Sequence, residues 1–227
     1  MTLAVTPAII VLLGLSVWQV QRLQWKEALL SEIDARMTSS PVALTSEFRE
    51  LPNYQAVVAT GRFLKDQNLY VIGQSHEGRS GVRVFTPFET NLGQLIWIDR
   101  GWSPDKEHSL NAVTITGDIT IEAVLKKYQE QQGAFKGGND PASELWFIVN
   151  PEEMSAHRGL KALKSHYLQL AKPTSESAVP FVLPPTTNIR NSHFQYALIW
   201  LSLAISLLTI YLILSLQRPS NLDGTKG

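Results

Sequence analysis

The sequence predicts a membrane protein in which two transmembrane α-helices flank a β-rich domain, an antiparallel sheet or small barrel of α+β character. Three observations predict it. No Asp, Glu, Lys or Arg occurs from Thr2 to Gln21, none occurs from Asn191 to Gln217, and short strand-like segments separated by turn residues fill the interval.

The first apolar stretch, densest from Leu3 to Val20, is long enough to cross a hydrocarbon core, since about 20 residues at roughly 1.5 Å each span about 30 Å. A cleaved signal sequence would have basic residues ahead of a shorter apolar run and a small-residue cleavage site after it. This run is longer, has no basic residue before it and ends in Trp18-Gln19-Val20-Gln21-Arg22, so it is expected to be retained. The missing basic residue also predicts that the natural start lies upstream. Leu23, Leu29, Leu30, Ile33 and Met37 then continue a helical pattern among charges until Thr38-Ser39-Ser40-Pro41 stops it.

Strands are expected at Tyr54–Phe63, Leu69–Gly73, Val82–Phe88 and Leu95–Ile98, with turns at Asp66-Gln67-Asn68 and Asn91-Leu92-Gly93. Val113–Gly117 and Ile119–Ile121 extend the β reading, with Gly117 marking a bulge or bend. A short polar helix is expected over Ala123–Gln132 and a loop over Phe135–Ala142. A strand follows at Leu145–Val149, a short helix at Pro151–Arg158 and a last strand at His166–Ala171. The proline-rich stretch Lys172–Arg190 reads as an extended connection. Tyr196–Leu216 is the second span; a buried core helix is the other reading of that segment. The domains are therefore residues 1–21, first transmembrane helix; 22–190, β-rich domain; 191–217, second transmembrane helix; and 218–227, tail. Two spans place both termini on one side. Arg218 and Lys226 against Arg22 and Lys26 leave the orientation open.

With 18% charged residues and a formal net charge of zero, nothing points to nucleic acid. The absence of cysteine excludes disulfides and thiolate metal sites. Gly73-Gln74-Ser75-His76-Glu77-Gly78 does not meet the Gly-x-Ser-x-Gly nucleophile pattern and lies between strands, and His76, His108, His157 and His166 lack ligand spacing. No enzymatic machinery is visible.

His193 differs because it stands at the mouth of the second span, where a titratable ring is costly unless paired. Helical spacing puts it on one face with Tyr196, Ala197 and Trp200, and with Ala204 farther along. Antiparallel spans bring Trp18 to Arg22 to the same depth. A flat, apolar, iron-containing ligand with carboxylates fits: haem, with His193 as axial ligand and Arg22 on the propionates. Two plainer readings stay open, His193 as an interface residue beside belt aromatics and Arg22 as a snorkelling anchor. Neither span offers a second histidine.

Leu13-Gly14-Leu15-Ser16-Val17-Trp18-Gln19-Val20-Gln21-Arg22-Leu23-Gln24-Trp25-Lys26 resembles the first-span signature of the Surfeit locus protein 1 family of cytochrome oxidase assembly factors. Tyr54 with Gly61-Arg62-Phe63, then Arg100-Gly101-Trp102-Ser103-Pro104, then Trp146-Phe147 follow in order. Asn191-Ser192-His193-Phe194-Gln195-Tyr196-Ala197-Leu198-Ile199-Trp200 resembles its second-span motif. The resemblance implies a bacterial inner-membrane protein with cytoplasmic termini and a periplasmic, extracytoplasmic domain. It further implies a non-enzymatic chaperone that binds haem a and assists its insertion into the catalytic subunit of a haem-copper oxidase. The family's second-span histidine falls on His193, with Arg22, Trp18, Tyr196 and Trp200 shaping the groove. Membrane lipid, that subunit and a haem a synthase are the expected partners. Asn139–Met154 follows the family loosely, with Asn150 where an acid is common, which leaves open the oxidase served. The competing expectation is a cofactor-free membrane scaffold for assembly intermediates, using exposed Trp97 or Trp102 as contacts; for Trp102 a core aromatic at a strand end is the favoured reading.

Overall fold

The computed structural model describes residues 2–110, 117–128, 138–144, 146–174, 180–183, 185 and 191–217. The chain divides into two compact units, Met1–Glu32 with Thr187–Gly227, and Ile33–Thr186.

The terminal unit is built on two apolar helices. Helix α1 runs Thr2–Thr38, with Pro7 near its start, where a residue lacking an N–H interrupts only the first backbone bonds of the helix. It ends at the expected Thr-Ser-Ser-Pro stop, where the Thr38 hydroxyl donates back to the Asp34 carbonyl at 2.8 Å. Helix α4 runs His193–Leu216, 24 residues or about 36 Å at the usual rise. Both helices are long and apolar enough to cross a membrane, and their Leu, Ile and Val side chains are largely exposed. A helix apolar on most of its circumference yet unburied by its own chain suits hydrocarbon rather than water.

The central unit is the sheet-rich domain. Its elements are β1 (Val42–Ala43), β2 (Ala56–Phe63), β3 (Leu69–His76), β4 (Arg79–Thr90), β5 (Leu95–Ser103), the short helix α2 (Lys106–Leu110), β6 (Ile119–Lys127), α3 (Pro151–His157) and β7 (His166–Leu170). The sheet order is β1-β2-β6-β7-β5-β4-β3, and an additional β2–β4 pairing closes five of these strands into a small barrel. Closure happens within β2. Ala56–Gly61 pair with β6, while Gly61, Arg62 and Phe63 pair with Thr90, Glu89 and Phe88 of β4. A methyl on Gly61 would stand 2.1 Å from the Glu89 carbonyl oxygen, so only glycine allows β4 this close.

Two pairings are parallel, β1–β2 and β5–β7. Parallel neighbours need a long connection, and β6 with α3 lies between β5 and β7 in the chain. The expected polar helix over Ala123–Gln132 is a correction: Ala123–Lys127 belongs to β6, paired with β2 and β7, and residues 129–132 lie outside the described residues. Ala123, Val124 and Leu125 are all buried there, and tertiary pairing overrides local propensity. Of the expected strand at Leu145–Val149, only a single parallel bridge from Trp146 to Val71 occurs, and Leu145 lies outside the described residues. The expected strand residues 113–116 and the tail 218–227 also lie outside them.

The barrel interior is filled by Phe48, Val57, Phe88, Ile96, Ile98, Ile121, Leu125 and Leu168. A second cluster, Leu69, Val71, Phe85, Trp97, Trp146 and Met154, packs α3 against the outer face of β3–β5. Strand β4 is therefore buried on both faces, helped by a register shift between Val84 and Phe85. Asn150 caps α3, its Oδ1 accepting from the N–H groups of Glu152 at 3.1 Å and Glu153 at 3.3 Å.

Candidate functional site

In the central unit, the motif residues that stood out in the sequence turn out to hold the barrel together. The Arg100 guanidinium lies over the Phe63 ring, 5.0 Å from its centroid, and Phe63 meets Phe88 edge-on at 5.0 Å. Gly101 has φ +123, and its Cα passes under the Phe181 carbonyl, where a Cβ would come within 2.1 Å. Trp102 exchanges two backbone hydrogen bonds with Phe181, at 2.8 and 2.7 Å. Its ring packs against His76 and Phe181, with centroids 5.4 and 6.0 Å away.

Trp97 is a correction to the scaffold expectation, whereas Trp102 follows the favoured reading of a core aromatic at a strand end. They are 0% and 3% exposed, so neither offers a contact surface; the Trp97 indole donates to Ser155 Oγ at 3.0 Å. Ser75 lies in β3 opposite Ser80, in a hairpin turned by Glu77 and Gly78, both with positive φ. Among the described residues, no group of three or more His, Asp or Glu side chains could hold a metal ion.

The terminal unit holds the arrangement with chemistry. His193 opens α4, with the Asn191 side-chain oxygen accepting from its backbone N–H at 3.4 Å. Its ring Nδ1 lies 2.8 Å from Oε1 of Gln19 on α1. One turn away the Ser16 hydroxyl donates to the Ala197 carbonyl at 3.0 Å. Ser16 and Gln19 share a face of α1, as His193 and Ala197 share one of α4, so two hydrogen bonds tie the antiparallel helices at one level. Small residues permit the approach: Ala197 and Ala204 are buried. Along α4 the less exposed positions recur at 193, 197, 200, 204, 207 and 211, the spacing of a helix-packing seam.

Of the residues expected around the ligand, His193 and Trp200 lie on this seam and are half-buried. Trp18 and Tyr196 are 53% and 48% exposed, presenting open ring faces on the two helices. Arg22 is exposed one turn beyond Gln19, its guanidinium over the Trp25 ring at 4.1 Å. Its side chain rests on its own helix, and the structure does not bring it to His193. Gln19 was not anticipated. Its signal was present in the sequence: Ser16 and Gln19 are polar residues at i, i+3 inside an otherwise apolar run.

An amide oxygen only accepts hydrogen bonds, so it accepts one from Nδ1–H, which in a neutral ring leaves Nε2 with its lone pair. Among the described residues no group pairs with Nε2. The donor set is thus a single imidazole nitrogen on an apolar, aromatic helix face; the cation of Arg22 is held over Trp25, one turn beyond Gln19 on α1. The chemistry of this donor set is compatible with haem, whose iron His193 would hold.

A sequence profile described as the SURF1 family matches residues 7–205 of this chain. A SURF1-like protein of Rickettsia conorii (strain ATCC VR-613 / Malish 7) is 31% identical over 210 residues, covering 89% of this chain and 86% of that protein. A SURF1-like protein of Monosiga brevicollis is 29% identical over 238 residues, covering 96% and 88%. Surfeit locus protein 1 of Rattus norvegicus is 27% identical over 212 residues, covering 84% and 67%.

Proposed function

The chain belongs to the SURF1 family, and on that premise we propose that it is a non-enzymatic assembly factor for a haem-copper terminal oxidase, binding haem a and passing it to the catalytic subunit. The observation that carries the cofactor is the His193 ring, at the mouth of an apolar helix with Nδ1 engaged by Gln19. When bound, haem supplies an iron that accepts an imidazole nitrogen and carboxylates that seek a cation. His193 offers that nitrogen. Arg22, released from Trp25 by a change of rotamer, supplies the cation, and a guanidinium matches carboxylate geometry in two hydrogen bonds. Trp18, Tyr196 and Trp200 offer flat apolar faces that shed water.

A carrier must also let go. With His193 alone to hold the iron and exposed aromatic side chains beside it, the group would be passed on to a partner that offers a further ligand and a closed pocket, because that partner would bind it more tightly. The reading places the protein in the bacterial inner membrane, both termini cytoplasmic and the β-rich domain periplasmic, with the oxidase catalytic subunit and a haem a synthase as its partners. The protein turns over nothing in this scheme.

The test is an absorption spectrum of the full-length protein, purified in detergent after coexpression with haem a synthesis enzymes, for wild type and His193→Ala side by side. The expected result is a haem a spectrum in wild type that is lost in the variant while far-UV circular dichroism is unchanged. A colourless wild type would overturn the cofactor and leave a cofactor-free scaffold.

A further inference from the structure

We infer that Gln19 is a positioning residue for His193, setting its tautomer and ring orientation so that Nε2 is the free, ligating nitrogen. The inference rests on the haem-binding reading for its purpose, but the tautomer itself can be measured without haem.

Three observations carry it. Gln19 is 9% exposed, although it lies on a helix whose neighbouring side chains are mostly open. A primary amide in an apolar span is costly unless paired, and Gln19 has its partner in His193, at 2.8 Å between Oε1 and Nδ1. The partner atom is the one that matters. Which imidazole nitrogen holds the proton is decided by the hydrogen bond made by the other, and an acceptor at Nδ1 selects the Nδ1–H form. The Ser16–Ala197 hydrogen bond, one turn away at 3.0 Å, holds the two helices in the register that keeps amide and ring opposed.

A histidine that ligates a metal commonly donates its other N–H to a carbonyl or carboxylate, which fixes the ring and raises its basicity; removing that acceptor weakens metal binding by about 10- to 100-fold. Simple helix-to-helix adhesion predicts something different. Any group filling the same volume would then serve, and the tautomer would be irrelevant to ligand binding.

The experiment uses the full-length, haem-free protein in detergent with 15N-labelled histidine. Two-bond proton–nitrogen correlation spectra are recorded, and the His193 signals are identified by their loss in His193→Ala. The expected wild type shows a protonated Nδ1 and an unprotonated Nε2. Gln19→Met, nearly isosteric but without a strong acceptor, is expected to shift the proton toward Nε2, and Gln19→Glu, which restores an acceptor oxygen, to return it to Nδ1. A wild-type ring protonated at Nε2, or one unchanged by Gln19→Met, would overturn the inference, and the wild-type spectrum decides the first point even if a variant fails to fold. In haem a titrations Gln19→Met is expected to bind about 10- to 100-fold more weakly, with Gln19→Glu close to wild type. A colourless wild type with the expected tautomer would sink haem binding alone; haem binding with equal affinity in Gln19→Met would sink the positioning role alone.

Discussion

Arg83 on β4 and Asp99 on β5 form an ion pair in the central domain, with the carboxylate buried and the guanidinium partly exposed. Arg83 Nε donates to Asp99 Oδ1 at 3.1 Å, its Nη2 meets Oδ2, and the Gly101 N–H donates to Oδ1 at 3.1 Å. Asp99 is 3% exposed. Burial outweighs the attraction of Arg83 and pushes the carboxyl up to about 6 from 3.8.

An acid whose folded pKa is raised binds its proton more tightly in the folded state, so its contribution to stability is full below about 3.8 and is lost as pH rises through about 6. Asp99→Asn keeps an acceptor for Gly101 and cannot titrate. We expect wild type to lose stability relative to this variant as pH is raised from about 4 to about 6, read as the difference in urea midpoints. A difference that does not change over that range would contradict the role of burial.

Gly61→Ala should prevent barrel closure. The added methyl meets backbone on β4, 2.1 Å from the Glu89 oxygen and 2.7 Å from Thr90 Cα, and backbone cannot rotate away as a side chain can. A loss of at least about 3 kcal/mol is expected, at the upper end of overpacking costs, seen as a lowered thermal midpoint or as failure to fold. A midpoint within a degree of wild type would show that β2 and β4 separate easily.

Ser155→Ala should leave the Trp97 indole N–H buried without an acceptor. The expected cost is about 1–3 kcal/mol, the penalty for an orphaned buried donor. The Trp97 bond joins α3 to the sheet, and the Ser155 hydroxyl also donates to the Pro151 carbonyl within α3, so both bonds are lost together. Chemical denaturation of wild type and variant checks it. Trp97→Phe, which removes the donor as well, should recover part of the loss in the Ser155→Ala background.

On the proposed haem-binding reading, Arg22→Ala should weaken haem a binding without abolishing it. A charge-assisted hydrogen bond contributes about 1.5–3 kcal/mol, or roughly 10- to 100-fold in affinity. The spectrum of the bound form should keep its shape, since the axial nitrogen is untouched. An altered spectrum at full occupancy would instead place Arg22 beside the iron.

Much of this architecture could be read from the chain itself. The two apolar helices, the helical extension to Thr38, the strands around Val84 and Ile98 and the short helix at Pro151 all rest on composition, period and punctuation within one segment. Such signals are local, and a stretch of backbone obeys them whatever its neighbours do. Local rules also account for the error over Ala123–Lys127. The longer stretch Ala123–Gln132 is polar from Lys126 onward, as a short surface helix would be, but Ala123–Lys127 is drawn into the sheet by β2 and β7, which lie far away in sequence.

What only the tertiary structure decided concerns partners. Whether β2 closes on β4, whether β5 pairs in parallel with β7, and whether Trp97 faces solvent or core depend on pairings that no period within a segment encodes. The same holds at the membrane. Sequence pointed to His193 because an imidazole is conspicuous in an apolar helix. It did not point to Gln19, 174 residues earlier, because a side-chain hydrogen bond between helices depends on register and rotation, and these follow from packing small residues such as Ala197 against a neighbour.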